Sequence, residues 1–183
     1  MSNEMLVRCC APTLAGLKTG SLFSCPYESR EELMRELRRV NRDLSPCGLR
    51  ILPLRCCGGR ALLYLFRPAE LERDLSGRCA REILNEAGYE NRGLGRCMQC
   101  LIRRLQSGGD FPHEIGLFLS YPPEDVQGFV EQGPDRCKCV GCWKVYGDVE
   151  RAKKIFCRYK QCTEVYCRCV RSGIPLEKLA VAG

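Results

Sequence analysis

Three stretches of the chain carry side chains that could do chemistry. The first, residues 9–25, reads CCAPTLAGLKTGSLFSC, and its reactive groups are Cys10 and Lys18. The second, residues 110–133, reads DFPHEIGLFLSYPPEDVQGFVEQG; it holds the only histidine, His113, beside Glu114, and further on Tyr121 and Asp125. The third, residues 141–148, reads GCWKVYGD and brings the only tryptophan, Trp143, next to Lys144 and near Tyr146. An imidazole close to a thiol lowers the thiol pKa and makes a nucleophile, so Cys10 and His113 are the candidate catalytic pair. Lys18 and Lys144 would anchor an anion, with Glu114, Tyr121, Asp125, Trp143 and Tyr146 completing the candidate ligand-binding set. A single histidine excludes any mechanism that needs two from one chain.

Each stretch also has a plain structural reading. Gly16 and Gly20 follow Pro12 at intervals of four, which suits a tight crossing at a sheet end. Pro112 holds the chain extended before His113, and neighbours on a strand face opposite ways, so His113 and Glu114 should not act on one atom. A lone histidine at a strand start is commonly a structural hydrogen-bonder. In the third stretch, strand alternation would turn Trp143 and Val145 to the core and Lys144 and Tyr146 to water.

Sixteen cysteines in 183 residues is a high count. The chain is long and well supplied with aliphatic residues, so it does not need disulfide staples, and in a reducing compartment such cysteines are buried apolar residues, metal ligands or redox thiols. Cys137, Cys139 and Cys142 place three thiols in six residues. A structural zinc site takes four ligands, commonly from two separated pairs, and no clear second pair exists, so no metal site is assigned. Cys97 and Cys100 fall inside a helical pattern, as do Cys162, Cys167 and Cys169. Cys79 and Cys97 recur with apolar neighbours at helical spacing and are expected to be packing residues.

These groups must be positioned by a mixed set of elements. Leu33, Leu37, Val40 and Leu44 form one helical face over 29–45, opened by the capping box Ser29-x-x-Glu32 and stopped by Pro46 and Gly48. Two apolar runs split by Gly58-Gly59 predict a hairpin whose first strand is demoted by Pro53 to an edge or bulge, with 61–66 as a central strand. Helical patterns follow at 68–75, 77–87 and 93–106, the last striped by Leu94, Cys97, Met98, Leu101, Ile102 and Leu105. Residues 114–121 read as a second buried strand, and Pro122-Pro123 opens a helix to about 132. A short strand at 143–146 leads to Gly147-Asp148, which cap a long helix striped by Val149, Ala152, Phe156, Tyr159, Thr163, Tyr166 and Val170. Residues 20–24 suggest a further strand. The expectation is a single mixed α/β domain over 1–183: a central mixed sheet of about four to five strands, flanking helices, a long C-terminal helix and a tail at 171–183.

Read together, CAPTLAGLKTGSLFS, FPHEIGLFLSYPPEDVQGFVEQG and CWKVYGD resemble an uncharacterised bacterial family, a domain of unknown function met mostly in anaerobic Gram-positive bacteria. The resemblance covers about residues 6–168, which makes the family domain and the chain coextensive. Its family-like positions here include Cys10, Pro12, Gly16 and Lys18, then His113, Glu114, Gly116, Tyr121, Asp125 and Gly128, then Trp143, Lys144, Tyr146 and Gly147. It implies no activity, substrate or cofactor. The chain is richer in cysteine than the resemblance suggests, especially at 9–10, 56–57 and 137–142.

Composition narrows the remaining classes. The net charge of +7 is spread along the helices with no long basic run, so nucleic acid is not an expected partner. The longest clean apolar stretch is the six residues Ala61 to Phe66, against about 18 for a membrane span. The start MSNEMLV lacks a basic n-region and an apolar h-region, and a cytoplasmic protein is expected. Three functions stay open. One is a small-ligand-binding or thiol-dependent enzyme whose pocket is formed by 10–20, 111–125 and 143–147. The second is a non-catalytic protein-interaction module. The third is a thiol-rich metal or redox protein using the 137–142 loop. Cofactor and partner stay open, with a small anionic ligand and a protein as the candidate partners.

Overall fold

Helices built on apolar stripes alternate with a few short strands. The computed structural model describes residues 1–90, 93–108 and 110–182. In chain order these form α1 (Asn3–Leu14), β1 (Gly20–Pro26), α2 (Arg30–Leu44), β2 (Arg50–Cys57), β3 (Arg60–Phe66), α3 (Pro68–Ser76), α4 (Arg78–Glu86), α5 (Leu94–Gln106), α6 (Ile115–Phe118), α7 (Pro123–Gln132), β4 (Cys139–Val140), β5 (Lys144–Val145), α8 (Val149–Arg171) and α9 (Leu176–Leu179). The chain divides into two compact units, one of residues 1–69 with 161–183 and one of residues 70–160. Among the described residues no helix is long and apolar enough to cross a membrane.

The first unit is organised by an antiparallel sheet in the order β1-β3-β2. Gly58 and Gly59 both take positive φ, 56° and 70°, as a two-residue hairpin turn between right-twisted strands requires. Pro53 has no N–H to give a ladder; it lies on the edge strand β2, where the register shifts between Pro53 and Arg55. Phe23 and Cys25 of β1, Ile51 of β2, and Ala61, Leu63 and Leu65 of β3 share a core with Leu6, Cys10 and Leu14 of α1 and the α2 stripe Leu33, Leu37, Val40 and Leu44. Ser29 caps α2 as its sequence promised, accepting from the Glu32 N–H.

Helix α1 was not expected, because Pro12 lies inside it. Proline costs an internal helical bond, but here it falls in the last turn, and Pro12 O still accepts the N–H groups of Leu17 and Lys18. The carbonyls left over at that end meet Arg67, which is 2% exposed. Arg67 Nε donates to Thr13 O at 2.9 Å, and its Nη2 donates to Leu14 O and Val181 O, both at 2.8 Å. A cation at a helix C-terminus meets the negative end of the dipole as well as orphan acceptors. Gly16 takes φ 71° beside this guanidinium, closing the helix in the left-handed conformation. The expected tail is thereby drawn into the fold: Val181 N donates to Leu14 O, and Leu176 and Leu179 of α9 enter the core.

In the second unit α3, α4 and α5 occupy the expected spans and α7 begins at Pro123. The stretch 114–121 is not a strand. Ile115 N bonds to Pro112 O, Gly116 N to His113 O and Leu117 N to Glu114 O, winding it into α6 and its flanking turns, after which Ser120 takes φ 58°. The run is apolar all round because residues 115–119 are buried on every side, and a short fully buried run looks the same as helix or strand. The expected four- or five-stranded mixed sheet is accordingly replaced by three antiparallel strands and a separate β4–β5 hairpin, within the same mixed α/β class. Val149, Ile155, Phe156 and Tyr159 from the first half of α8 pack on Trp143, Val145 and Ala152. Cys97 is buried as its stripe implied, whereas Cys79 is exposed: α4 turns Ala80, Ile83 and Leu84 inward and leaves Cys79 on the flank.

Replacing Arg67 with methionine keeps the bulk but removes the donors to the carbonyls of Thr13, Leu14 and Val181, of which Thr13 O and Leu14 O retain backbone partners in Gly16 N and Val181 N. Denaturant unfolding of Arg67→Met should show a loss of about 2 kcal/mol or more, since hydrogen bonds to a charged group are worth about 1.5–3 kcal/mol.

Candidate functional site

The second unit gathers two of the three sequence stretches, 111–125 and 143–147, around one cleft of about 190 Å³. Its lining includes Phe111, His113, Tyr121, Phe129, Trp143 and Lys144. The node that builds it is Asp125, in the first turn of α7 and only 3% exposed. Asp125 Oδ2 accepts the Trp143 indole N–H at 2.6 Å, while Oδ1 accepts the backbone N–H groups of Tyr146 and Gly147, both at 2.7 Å. One carboxylate thus fixes the tryptophan, the turn after β5 and the start of α8 relative to α7. Holding these three donors makes Asp125 a positioning residue within the cleft lining.

Packing tightens the same assembly. A Cβ on Gly128 would lie 2.5 Å from Tyr146 Cβ and Cγ, and one on Gly116 would lie 2.7 Å from Val126 Cγ2. Both glycines therefore serve close approach: α7 to the β5 turn, and α6 to α7. Tyr121 stacks on Trp143 with centroids 5.0 Å apart and donates from its hydroxyl to Cys142 O, and Trp143 meets Phe156 edge-on at 4.5 Å. Burial pushes the Tyr121 phenol up, helped by the Cys142 thiol, and pushes Tyr159 to about 12. Tyr146 is buried, against the alternation expected for it, because the β5 strand ends at Val145 and the chain turns inward to Asp125; its hydroxyl donates to Gly133 O.

His113 and Glu114 separate as expected, though by a turn and not by strand alternation. Glu114 is buried and accepts from Tyr89 Oη and Arg104 Nε, each at 2.8 Å, so its charge is matched inside the fold. Burial raises the Tyr89 phenol, and the neighbouring Glu114 adds to the rise. His113 is exposed, with its ring edge-on to Phe129 at 4.7 Å. Lys144 donates from Nζ to Pro134 O at 2.8 Å at the cleft rim. Phe111 and Phe129 were missed in the sequence; Phe129 lies four residues after Asp125, on the same side of α7, which is the one signal that pointed to it.

Cys10 and Lys18 belong to the first unit. Cys10 is fully buried, and burial pushes its thiol well above the ordinary 9.0; Cys9 raises it further, against smaller opposing effects from Lys18 and Ser21. All sixteen cysteines are free thiols, and among the described residues no three His, Cys, Asp or Glu side chains are gathered so as to hold a metal ion. Cys142 is exposed, and Cys137 and Cys139 are half-buried.

The family model described as "Protein of unknown function (DUF3793)" matches residues 6–180. The chain belongs to that family. The DUF3793 match takes in residues of both compact units and runs through α9, ending one residue before the Val181 carbonyl that Arg67 holds. No curated protein matches the chain, and no solved structure does.

Two outcomes test the site's construction. Asp125→Asn leaves one carbonyl oxygen for three donors and turns an amide N–H toward them. Unfolding followed by Trp143 fluorescence should show a loss of about 2–4 kcal/mol, the range for breaking a buried charge-assisted cluster. A thiol whose pKa is raised stays protonated and unreactive in the folded state. At about pH 8, iodoacetamide should modify the exposed Cys57 and Cys142 well before Cys10, which should react only as denaturant unfolds the chain. Fast native modification of Cys10 that slows in His113→Ala would instead support the Cys–His pair.

Proposed function

We propose that the cleft of the second unit binds a small, flat, largely apolar ligand carrying one acidic group. The observation that supports this is the ring of His113, Phe129, Tyr121 and Trp143 around a preformed cleft with a lysine at its rim. Binding sites of this kind are mostly apolar with a few placed polar groups, and aromatic walls favour flat ligands. At about 190 Å³ the cleft is below the drug-sized range of about 300–1,000 Å³, which favours a single-ring molecule. Lys144 has donors beyond the one given to Pro134 O, and an ammonium selects an anion. The reading is one of binding; the surroundings of Cys10 lend no support to a thiolate nucleophile, so no covalent step is included.

Trp143 is the only tryptophan and reports on the cleft directly. Titration with benzoate and phenylacetate should change its fluorescence saturably, with dissociation constants of about 1 mM, as befits ligands of so few atoms. Toluene and benzamide should bind about fivefold more weakly, and Lys144→Gln should erase that preference, a rim ion pair being worth about 1 kcal/mol at most. His113→Ala, at an exposed position, should weaken every ring-bearing ligand. Absence of any saturable response, or acid binding unchanged in both variants, would refute the proposal.

A further inference from the structure

The first unit has a larger, open groove of about 990 Å³ along α2, independent of the aromatic cleft. Its outer ridge is built from Arg35, Arg38, Arg39 and Arg42, at helical spacings of three and four, so they fall on one side of α2 across about two turns, or about 10 Å. This side lies opposite the buried stripe of Leu33, Leu37, Val40 and Leu44. Arg35, Arg38 and Arg39 are exposed and make no hydrogen bond or ion pair with another described residue, while Arg42 reaches only its neighbour Asp43. The sequence hides this ridge, because acids and apolar residues separate the arginines and leave no basic run.

The rest of the lining is Pro26, the half-buried ring of Tyr27 and Glu28 ahead of α2, with Glu32 and Glu36 on α2 itself, between the arginine ridge and the buried stripe. Glu36 is neutralised by the Met1 ammonium at 2.7 Å. Glu31 stands at the N-terminal end of the ridge and weakens the field there. A groove that offers unpaired guanidinium groups along its ridge, with carboxylate acceptors and a ring beside them, matches a ligand with alternating phosphates and flat N–H-bearing groups. Guanidinium groups pair with phosphate in a two-pronged fork, tyrosine stacks on bases, and glutamate accepts from base amino groups. An acidic peptide would meet the same arginines and the same carboxylates but has no base to lay against Tyr27 or to donate amino hydrogens to Glu28 and Glu32.

We propose that this groove binds single-stranded nucleic acid, with neighbouring phosphates on Arg35, Arg38 and Arg39 and a base against Tyr27. Exposed arginines contribute mainly by releasing counterions, so binding should be modest and steeply salt-dependent. The test is fluorescence anisotropy of the full chain with a labelled oligothymidylate of about 15 nucleotides at about 50 mM salt and above.

The expected result is saturable binding that falls at least about tenfold in the Arg35→Ala, Arg38→Ala, Arg39→Ala triple variant, with a salt slope shallower by about two. A control variant removing Arg73, Arg81 and Arg151, exposed arginines of the second unit, loses the same charge and should bind nearly as the parent does. Tyr27→Ala should weaken the oligonucleotide but not inorganic polyphosphate. Three results would overturn the proposal: no binding at low salt, equal losses in the two triple variants, or competition by polyglutamate as effective as that by unlabelled oligonucleotide.

Discussion

The second unit depends on a single buried carboxylate. Asp125 draws three donors from a segment about twenty residues away in sequence, and none of the three has a satisfactory alternative. The N–H groups of Tyr146 and Gly147 lie in the turn between β5 and α8, where no ladder or helix can use them. The two-residue strands β4 and β5 are too short to fix that turn by themselves. Trp143 is placed by the same carboxylate, and Trp143 is the surface on which Tyr121 and Phe156 pack. The cleft therefore inherits its shape from a polar interaction in its own wall.

Arg67 plays the corresponding part in the first unit with the opposite charge. It is buried with main-chain carbonyls as partners, which satisfies its donors by geometry and by the dipole of α1. A hydrophobic substitute could fill the space but could not specify where α1 stops or where residues 180–182 lie. Both nodes follow one rule: a long or forked polar side chain is buried where irregular backbone would otherwise be left without partners. Among the described residues no buried side-chain nitrogen or oxygen lacks a partner.

This rule explains what could and could not be read from the sequence. The limits of α2, the Gly58-Gly59 hairpin, the edge placement of Pro53 and the start of α7 were legible because each is decided by local chemistry: a capping serine, paired glycines, a missing N–H, a proline at a first turn. Residues 114–121 were misread as a strand because burial on all sides erases the periodicity that tells helix from strand. Helix α1 was missed because Pro12 lies inside it, and the donors that close its C-terminal end come from Leu17, Lys18 and distant Arg67. Of the three segments expected to form one pocket, 111–125 and 143–147 line the cleft, whereas 10–20 belongs to the first unit. The division of labour among the lining residues was not legible, since it is set by which atoms Asp125 and Glu114 find in space.

The same division bears on how a motif string should be interpreted. Asp125, Gly128, Tyr146 and Gly147 are spent on hydrogen bonds and close packing, and Glu114 is spent on Tyr89 and Arg104. What these residues leave at the surface is a small set of aromatic edges and one lysine. A string rich in polar and aromatic residues invites a catalytic reading, yet here most of its chemistry is turned inward to hold a frame. The groups that line the cleft, among them His113, Tyr121, Phe129, Trp143 and Lys144, keep their places only because Asp125 and Glu114 are spent on the frame, so the inward and outward members of such a string have to be told apart before any of them is given a role.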